Sequence, residues 1–442
     1  MSLGVCRLKK HILALVVGLW ASLGFVACST SKPSSQTFSG LRNRVLASQG
    51  VNTAQTFGGM YIIDGRYDVI PRLPPIGAGS TPGLMAISPA RNIVAAFDST
   101  SQNVYAADTT TEKGIGNVHL SGSTESMVLP TSNALGYAAV PNASINGFEL
   151  AGGIVVMNFA TGIPNTIAVP AAQTVVSNAD GSQLLVFSND SDSMTVLTPG
   201  NAVPPVDTSC LTNPGNSICT VIPGFSRPVK AIINGSTAYI LNCGLQCGGS
   251  QTASVVIFDL NKLAITNLIP VDAATDLFLS GSTLYVAGTS PTNNACTGQK
   301  TAATTCGRLD VIDLGTGTVT ATYVITDGYH WRMDMTSNGQ LFVGSRNCTN
   351  IGNVNIGGGE IRGCLTILDT VHNRILIPGD NGDVVGLQSF SSRFIEYVAQ
   401  GGHLRVYTTY SYQDGLLINV FVPLGTINVV GNIGDVKAID FF

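Results

Sequence analysis

Charge is what this 442-residue sequence has least of. Asp, Glu, Lys and Arg make up only 11 % of it, under half the roughly 25 % of an ordinary globular chain. The net charge is −4, with no long basic or acidic run. That excludes the clustered positive field that nucleic-acid binding needs. Histidine is scarce at five residues, and tryptophan scarcer at two. Catalytic signatures are missing as well: there is no GxSxG elbow, no HExxH, no P-loop, and no GxGxxG between a strand and a helix. No CxxC or His-flanked cysteine offers zinc its four ligands, and Asn189-Asp190-Ser191-Asp192 lacks the Gly and closing Glu of a calcium loop. The sequence therefore gives no metal and no cofactor to expect.

What is present is apolar and turn-rich: 44 % hydrophobic residues and 50 glycines, a usage suited to many short strands and tight turns. The organising stretch is 254–269 (SVVIFDLNKLAITNLI), two apolar strands around the turn Asp259-Leu260-Asn261-Lys262. The same pattern recurs at 61–76, 309–324 and 365–377. A leading hairpin precedes the later copies, as at 174–187 (TVVSNADGSQLLVF), 276–288 and 333–344, with turns of Ser/Asn/Asp/Gly type. Each unit thus holds four strands, A to D. Strand A is expected to begin near Pro82, Glu125, Gln173, Pro228, Ala274, Trp331, Val384 and Asp435, at spacings of 43 to 57 residues. Periods of about 40–50 residues with four strands each mark a β-propeller.

The fold expected is therefore all-β: a single closed β-propeller over residues 41–442, eight-bladed by repeat count. Seven blades is the alternative, a miscount being easiest in the irregular region 404–433. Residues 44–48, 61–64 and 69–76 supply strands B, C and D without an A, while 435–440 supply an A with nothing after it. The C-terminal strand should complete the N-terminal blade, removing the exposed edge that invites aggregation.

The N-terminus reads as an address. Arg7, Lys9 and Lys10 precede the apolar run 12–27, short for a spanning helix but normal for a signal peptide. Phe25-Val26-Ala27-Cys28 resembles the lipobox of bacterial lipoprotein signals, with Phe25 in place of the usual Leu. The resemblance implies a leader over 1–27, lipidation of Cys28, and a membrane partner reached through that N-terminal lipid. Ser29 after the cysteine implies, in a diderm bacterium, an exported protein of the cell envelope held at the outer membrane. Cleavage after Ala27 without a lipid is the alternative. Residues 28–40 are Ser-rich and read as a flexible tether. Eight further cysteines fall as four sequence-near pairs, Cys210–Cys219, Cys243–Cys247, Cys296–Cys306 and Cys348–Cys364. In an exported chain these read as disulfides, each stabilising by roughly 2–3 kcal/mol.

Tyr239-Ile240-Leu241-Asn242, with the looser Tyr285-Val286-Ala287-Gly288 and Tyr397-Val398-Ala399-Gln400, stands where YVTN-type β-propeller proteins of bacteria carry their name-giving tetrapeptide. Ser177-Asn178-Ala179-Asp180-Gly181 resembles that family's A–B turn. The resemblance spans about residues 41–442 and implies an exported propeller.

Four carboxylates, Asp64, Asp259, Asp313 and Asp369, each end a strand C. Equivalent positions on separate blades keep them apart, so they are expected to cap turns rather than gather at a metal. In a propeller the D–A and B–C connections share one face, and the D–A loops ring the central channel. The ligand-binding candidates are accordingly Tyr329, His330, Trp331 and Arg332, with Lys230, Asp276 and Asp383 approaching the same mouth; Trp, Tyr and Arg are the residues favoured at binding hot spots. The bland alternative has Trp331 packed between blades and His330 solvated. The long B–C loops 142–152, 243–253, 289–306 and 345–363 should flank that mouth, three of them disulfide-braced, while Cys210–Cys219 should lie on the opposite face. The function expected is a non-catalytic binding or scaffold protein for a protein, glycan or small ligand, with no nucleic-acid partner. The alternative is an enzyme at the channel mouth, since lactonases and quinone-dependent dehydrogenases resemble this architecture.

Overall fold

Val255, Val256 and Phe258 lie fully buried in the strand Ser254–Asp259, and the reason is general to the chain. The two middle strands of a blade are covered on both faces by neighbouring blades, so they read as nearly continuous apolar runs; Ile93–Asp98 is buried at every position. Outermost strands face solvent, as Ala264–Pro270 does along most of its length. The computed structural model describes residues 39–440, apart from 52–57, 132–133, 146, 150, 189, 297–304, 350–362, 379–381, 410–411, 414–415, 418–422 and 428–431. The expected leader, Cys28 and most of the tether lie outside the described residues.

The chain is an eight-bladed β-propeller. Blades 1 to 7 follow in chain order, each built on four consecutive antiparallel strands of which the first lines the channel. These inner strands are Pro82–Ile87, Ser126–Val128, Ala172–Ser177, Pro228–Asn234, Asp276–Ser280, Tyr329–Met335 and Val384–Phe390. Blade 8 is shared by the two ends of the chain: Ile433–Ala438 pairs antiparallel with Arg44–Gln49, which continues to Gly59–Asp64 and Ile76–Gly77. The ring is closed as the repeat phase required. The irregular region before the last strand resolves into His403–Thr408 and Pro423–Ile427, strands C and D of blade 7, so eight rather than seven is correct.

The expected strand D over 69–76 is not formed. Only Ile76–Gly77 pairs, together with a single bridge between Asp64 and Val69. Pro71, Pro74 and Pro75 occupy the stretch and cannot donate to a ladder. Blade 2 gains a strand instead. Val206–Asp207, from the C–D connection of blade 3, runs parallel along its outer strand Ile163–Ala168 and covers that edge.

The core is not one mass. Eight apolar clusters occupy the eight interfaces between adjacent blades, for example Phe187, Phe225, Ile240 and Phe258 between blades 3 and 4. The strand-C aspartates cap turns as expected. The Asp259 carboxylate accepts from the N–H groups of Asn261 and Lys262 at 2.9 and 3.1 Å, and Asp64, Asp313 and Asp369 do the same in their own blades. Asp108 and Asn158 repeat the device in blades 1 and 2. All four disulfides are formed, Cys210–Cys219 on the C–D side and the other three in B–C connections.

Candidate functional site

The inner strands carry a recurrent irregularity where they leave the mouth. In blades 1, 3, 4, 6, 7 and 8 the pairing of strands A and B shifts register within the first few residues of strand A, a β-bulge. In blade 6, His330 pairs with Ser345 and Arg332 with Gly344, leaving Trp331 as the extra residue. A bulge re-aims side chains, and here it lets the consecutive residues Trp331 and Arg332 reach one cavity. That cavity, of about 300 Å³, is lined by Tyr329, Trp331, Arg332 and Arg346 of blade 6, Lys230 of blade 4, and Glu125 and Ser126 of blade 2, among others.

Trp331 is clasped by cations. The Arg332 guanidinium stands 4.0 Å from its ring centroid and that of Arg346 at 4.5 Å, with Arg346 also 5.3 Å from the Tyr329 ring; such stacking favours a cation on an aromatic face. The indole N–H donates to the Val384 carbonyl at 2.7 Å, fixing the ring against blade 7. Arg346 then reaches over the channel. Its Nη1 and Nη2 donate to the two carboxylate oxygens of Glu125 at 3.2 and 2.9 Å. Blades 6 and 2 face one another across the ring, so this two-pronged pair is a crossbar over the channel. Its bond from Arg346 holds the Glu125 carboxyl below the usual range, against burial. Burial works against the Arg346 charge, but Glu125 outweighs it and the guanidinium is held more firmly protonated.

Residues 347–349 fix the stem of the crossbar. Asn347 has φ 55° and donates its N–H to Asp383 Oδ1 at 2.9 Å. Thr349 donates its N–H to Asp327, and Cys348 is bonded to Cys364. Gly328 makes the close approach possible. It has φ +97°, and a Cβ there would lie 2.6 Å from the Arg346 carbonyl oxygen. Lys230 Nζ donates to Asp276 Oδ1 and, at 3.4 Å, to the Trp331 carbonyl, tying blades 4, 5 and 6 together beneath the cavity.

Four of the seven candidates, Tyr329, Trp331, Arg332 and Lys230, line the cavity. Asp276 lies fully buried under Lys230, and Asp383 braces Asn347 rather than facing the cavity. His330 is a correction. It is neither at the mouth nor solvated: it is fully buried between blades 5 and 6, its Nε2 3.0 Å from the Thr326 carbonyl oxygen. Gly307 of blade 5 leaves the room, since a Cβ there would sit 2.7 Å from His330 Cε1. Burial pushes the His330 pKa down to about 4, against the Thr326 bond. So the aromatic and the imidazole exchange the places given them by the bland alternative. Sequence reasoning missed Glu125 as a site residue although it marked the start of a strand A, and missed Arg346 at the end of strand B (Gln340–Arg346) beside Tyr329. Among the described residues, the one grouping with metal-ligand geometry is Cys348, Cys364 and Asp383, and its two sulfurs are bonded to each other.

No family model and no curated protein matches this sequence. Among solved structures, the chain is similar to the dihydro-heme d1 dehydrogenase NirN in complex with DHE, with a TM-score of 0.58 and 12% identity over 90% of this chain and 75% of that one. It is also similar to the Dos1 propeller, with a TM-score of 0.52 and 10% identity over 81% and 87%. A third likeness is to the periplasmic gluconolactonase PpgL of Pseudomonas aeruginosa, with a TM-score of 0.46 and 14% identity over 90% and 98%. Identities this low carry the fold and no activity, and on that fold the first two likenesses and the strand pairing agree: this chain is a β-propeller.

Proposed function

We propose that this chain is an exported, lipid-anchored propeller that binds a small ligand at its channel mouth without transforming it. The observation that carries the reading is the clasp of Trp331 between Arg332 and Arg346, roofed by the Arg346–Glu125 crossbar. Aromatic and guanidinium groups held in place by neighbouring blades are what a recognition site requires. Two groups that acid–base catalysis would use are committed elsewhere, Asp276 to Lys230 and His330 to the interior. Four disulfides agree with an oxidising, exported setting. The lipobox-like Phe25-Val26-Ala27-Cys28 supports a lipid on Cys28, with residues 29–40 as the tether. The YVTN-like tetrapeptides fall on strands B of blades 4, 5 and 7 and support kinship with that exported group.

The test is retention. The protein is dialysed against a small-molecule extract of its native envelope, and the retained compounds are read by mass spectrometry. Wild type should hold a compound that Trp331→Ala releases; equal retention by both sinks the reading. Cys28→Ser should move the protein from the membrane to the soluble fraction, and its staying membrane-bound would remove the anchor.

A further inference from the structure

We infer that the ligand of the channel mouth is a small di- or tricarboxylate, and that Glu125 occupies the seat of one of its carboxylates. The inference rests on the binding reading above and names the ligand class for that site. The crossbar is the starting point. Arg346 presents a fork to a planar two-oxygen anion, and a carboxylate already sits on it with both prongs engaged. That carboxylate is not buried: the Glu125 side chain is 53% exposed. Cavities lie on both sides of it. The one of about 300 Å³ holds Lys230 and Arg332, and another of about 250 Å³ reaches Thr81, Leu84 and Phe97; Glu125, Trp331 and Arg346 line both. A third, of about 540 Å³, opens from Glu125 towards Asn142 and Ser144. The pair is thus a partition within one mouth, and swinging Glu125 aside joins the spaces it divides.

Charge and size set the class. Besides Arg346, the first cavity has two more cations and no carboxylate but Glu125 among its lining residues. Two of the three N–H groups of Lys230 are engaged, by Asp276 and the Trp331 carbonyl. Arg332 spends its Nε on the Val385 carbonyl and its Nη1 on the Trp331 carbonyl, which leaves Nη2 for a ligand. A molecule that takes the Arg346 fork with one carboxylate therefore meets Arg332 and Lys230 with a second. Its carbon skeleton would lie along Trp331 and Tyr329. Arg346, Arg332 and Lys230 all line the one cavity of about 300 Å³, at the small end of ligand sites, so the skeleton between those two carboxylates is short.

The fluorescence of Trp331 reads the event directly. The sequence has two tryptophans, Trp20 and Trp331, so a Trp20→Phe background has one emitter, at the mouth, with the leader present or removed. It is titrated with tricarballylate, succinate and inorganic phosphate. Tricarballylate should give a saturable change, with phosphate at least tenfold weaker. Glu125→Gln removes the internal competitor and should tighten tricarballylate about tenfold, while Arg346→Gln should weaken it by at least that factor. Phosphate binding as tightly as tricarballylate, or a Glu125→Gln variant that binds no better than wild type, overturns the proposal. So does silence towards both carboxylates in wild type and Glu125→Gln, two proteins that keep the Arg346 fork. If an envelope compound is still retained through Trp331 while carboxylates are silent, the ligand class fails and the binding site stands; if retention ignores Trp331, both fail.

Discussion

Two arginine–glutamate pairs hold this propeller across long sequence separations, and they differ in almost every physical respect. Arg44 and Glu112 meet at the ring closure. The guanidinium is nearly sealed from solvent, with Glu112 at 2.7 Å, Asp440 at 2.6 Å and the Thr109 carbonyl as partners. Arg346 and Glu125 meet over the open channel, with side chains 28% and 53% exposed and a cavity on each side. Burial decides what each pair is for. Removing one partner from a sealed network strands a charge in the interior and costs several kcal/mol. An exposed pair is worth at most about 1 kcal/mol, so the crossbar contributes little to folding and is free to open.

Substitution can probe the contrast from either side. The largest effect is expected at the closure: Arg44→Ala should lower unfolding free energy by about 3–5 kcal/mol in denaturant titration, and a loss under about 1 kcal/mol would mean the ring does not depend on that clasp. Next comes pH. His330 has a folded pKa of about 4, below its unfolded value near 6.5, so between those values the unfolded chain binds more protons. Stability should therefore fall as pH drops from 6.5 to 4, by on the order of 3 kcal/mol for this group. Replacing His330 with Gln should flatten that slope even if the variant is less stable overall.

The braces come third. Cys210→Ser with Cys219→Ser should cost roughly 2–3 kcal/mol and leave Trp331 emission unchanged. Cys348→Ser with Cys364→Ser should cost a similar amount but shift that emission, because it loosens the stem of Arg346. Glu396 offers a smaller gain. It is fully buried, and desolvation, with Asp334 nearby, pushes its pKa well up. Its stabilising contribution is present in acid and lost as pH rises through the folded pKa, so Glu396→Gln should raise stability relative to wild type more as pH increases, with the least gain in acid. The smallest effect on stability belongs to the crossbar itself.

Much of the fold was legible because it is written locally. Apolar strands broken by Asn-Gly, Asp-Gly and Gly-Ser turns repeat along the chain, and the expected starts of strand A fall within two residues of those observed. Ring closure followed from the phase of the repeat at the two termini. The prolines at 71, 74 and 75 were in plain view and should have demoted the strand over 69–76. The site was half legible. Tyr329, Trp331, Arg332 and Lys230 share the mouth because the D–A connections meet there. Alternation along a strand, however, does not show a bulge, so the inward turn of His330 beside Trp331 was hidden. The crossbar was hidden for another reason: its partners lie 221 residues apart, and nothing local ties the end of one strand B to the start of a strand A across the ring.

A double-mutant cycle on each pair separates a structural clasp from a seat held ready for a ligand. Coupling between Arg346 and Glu125 in unfolding free energy should stay below about 1 kcal/mol, while coupling between Arg44 and Glu112 should exceed about 2 kcal/mol. Equal coupling at the two sites would make the crossbar a brace, and the division of labour between the sealed pair and the open one would be lost.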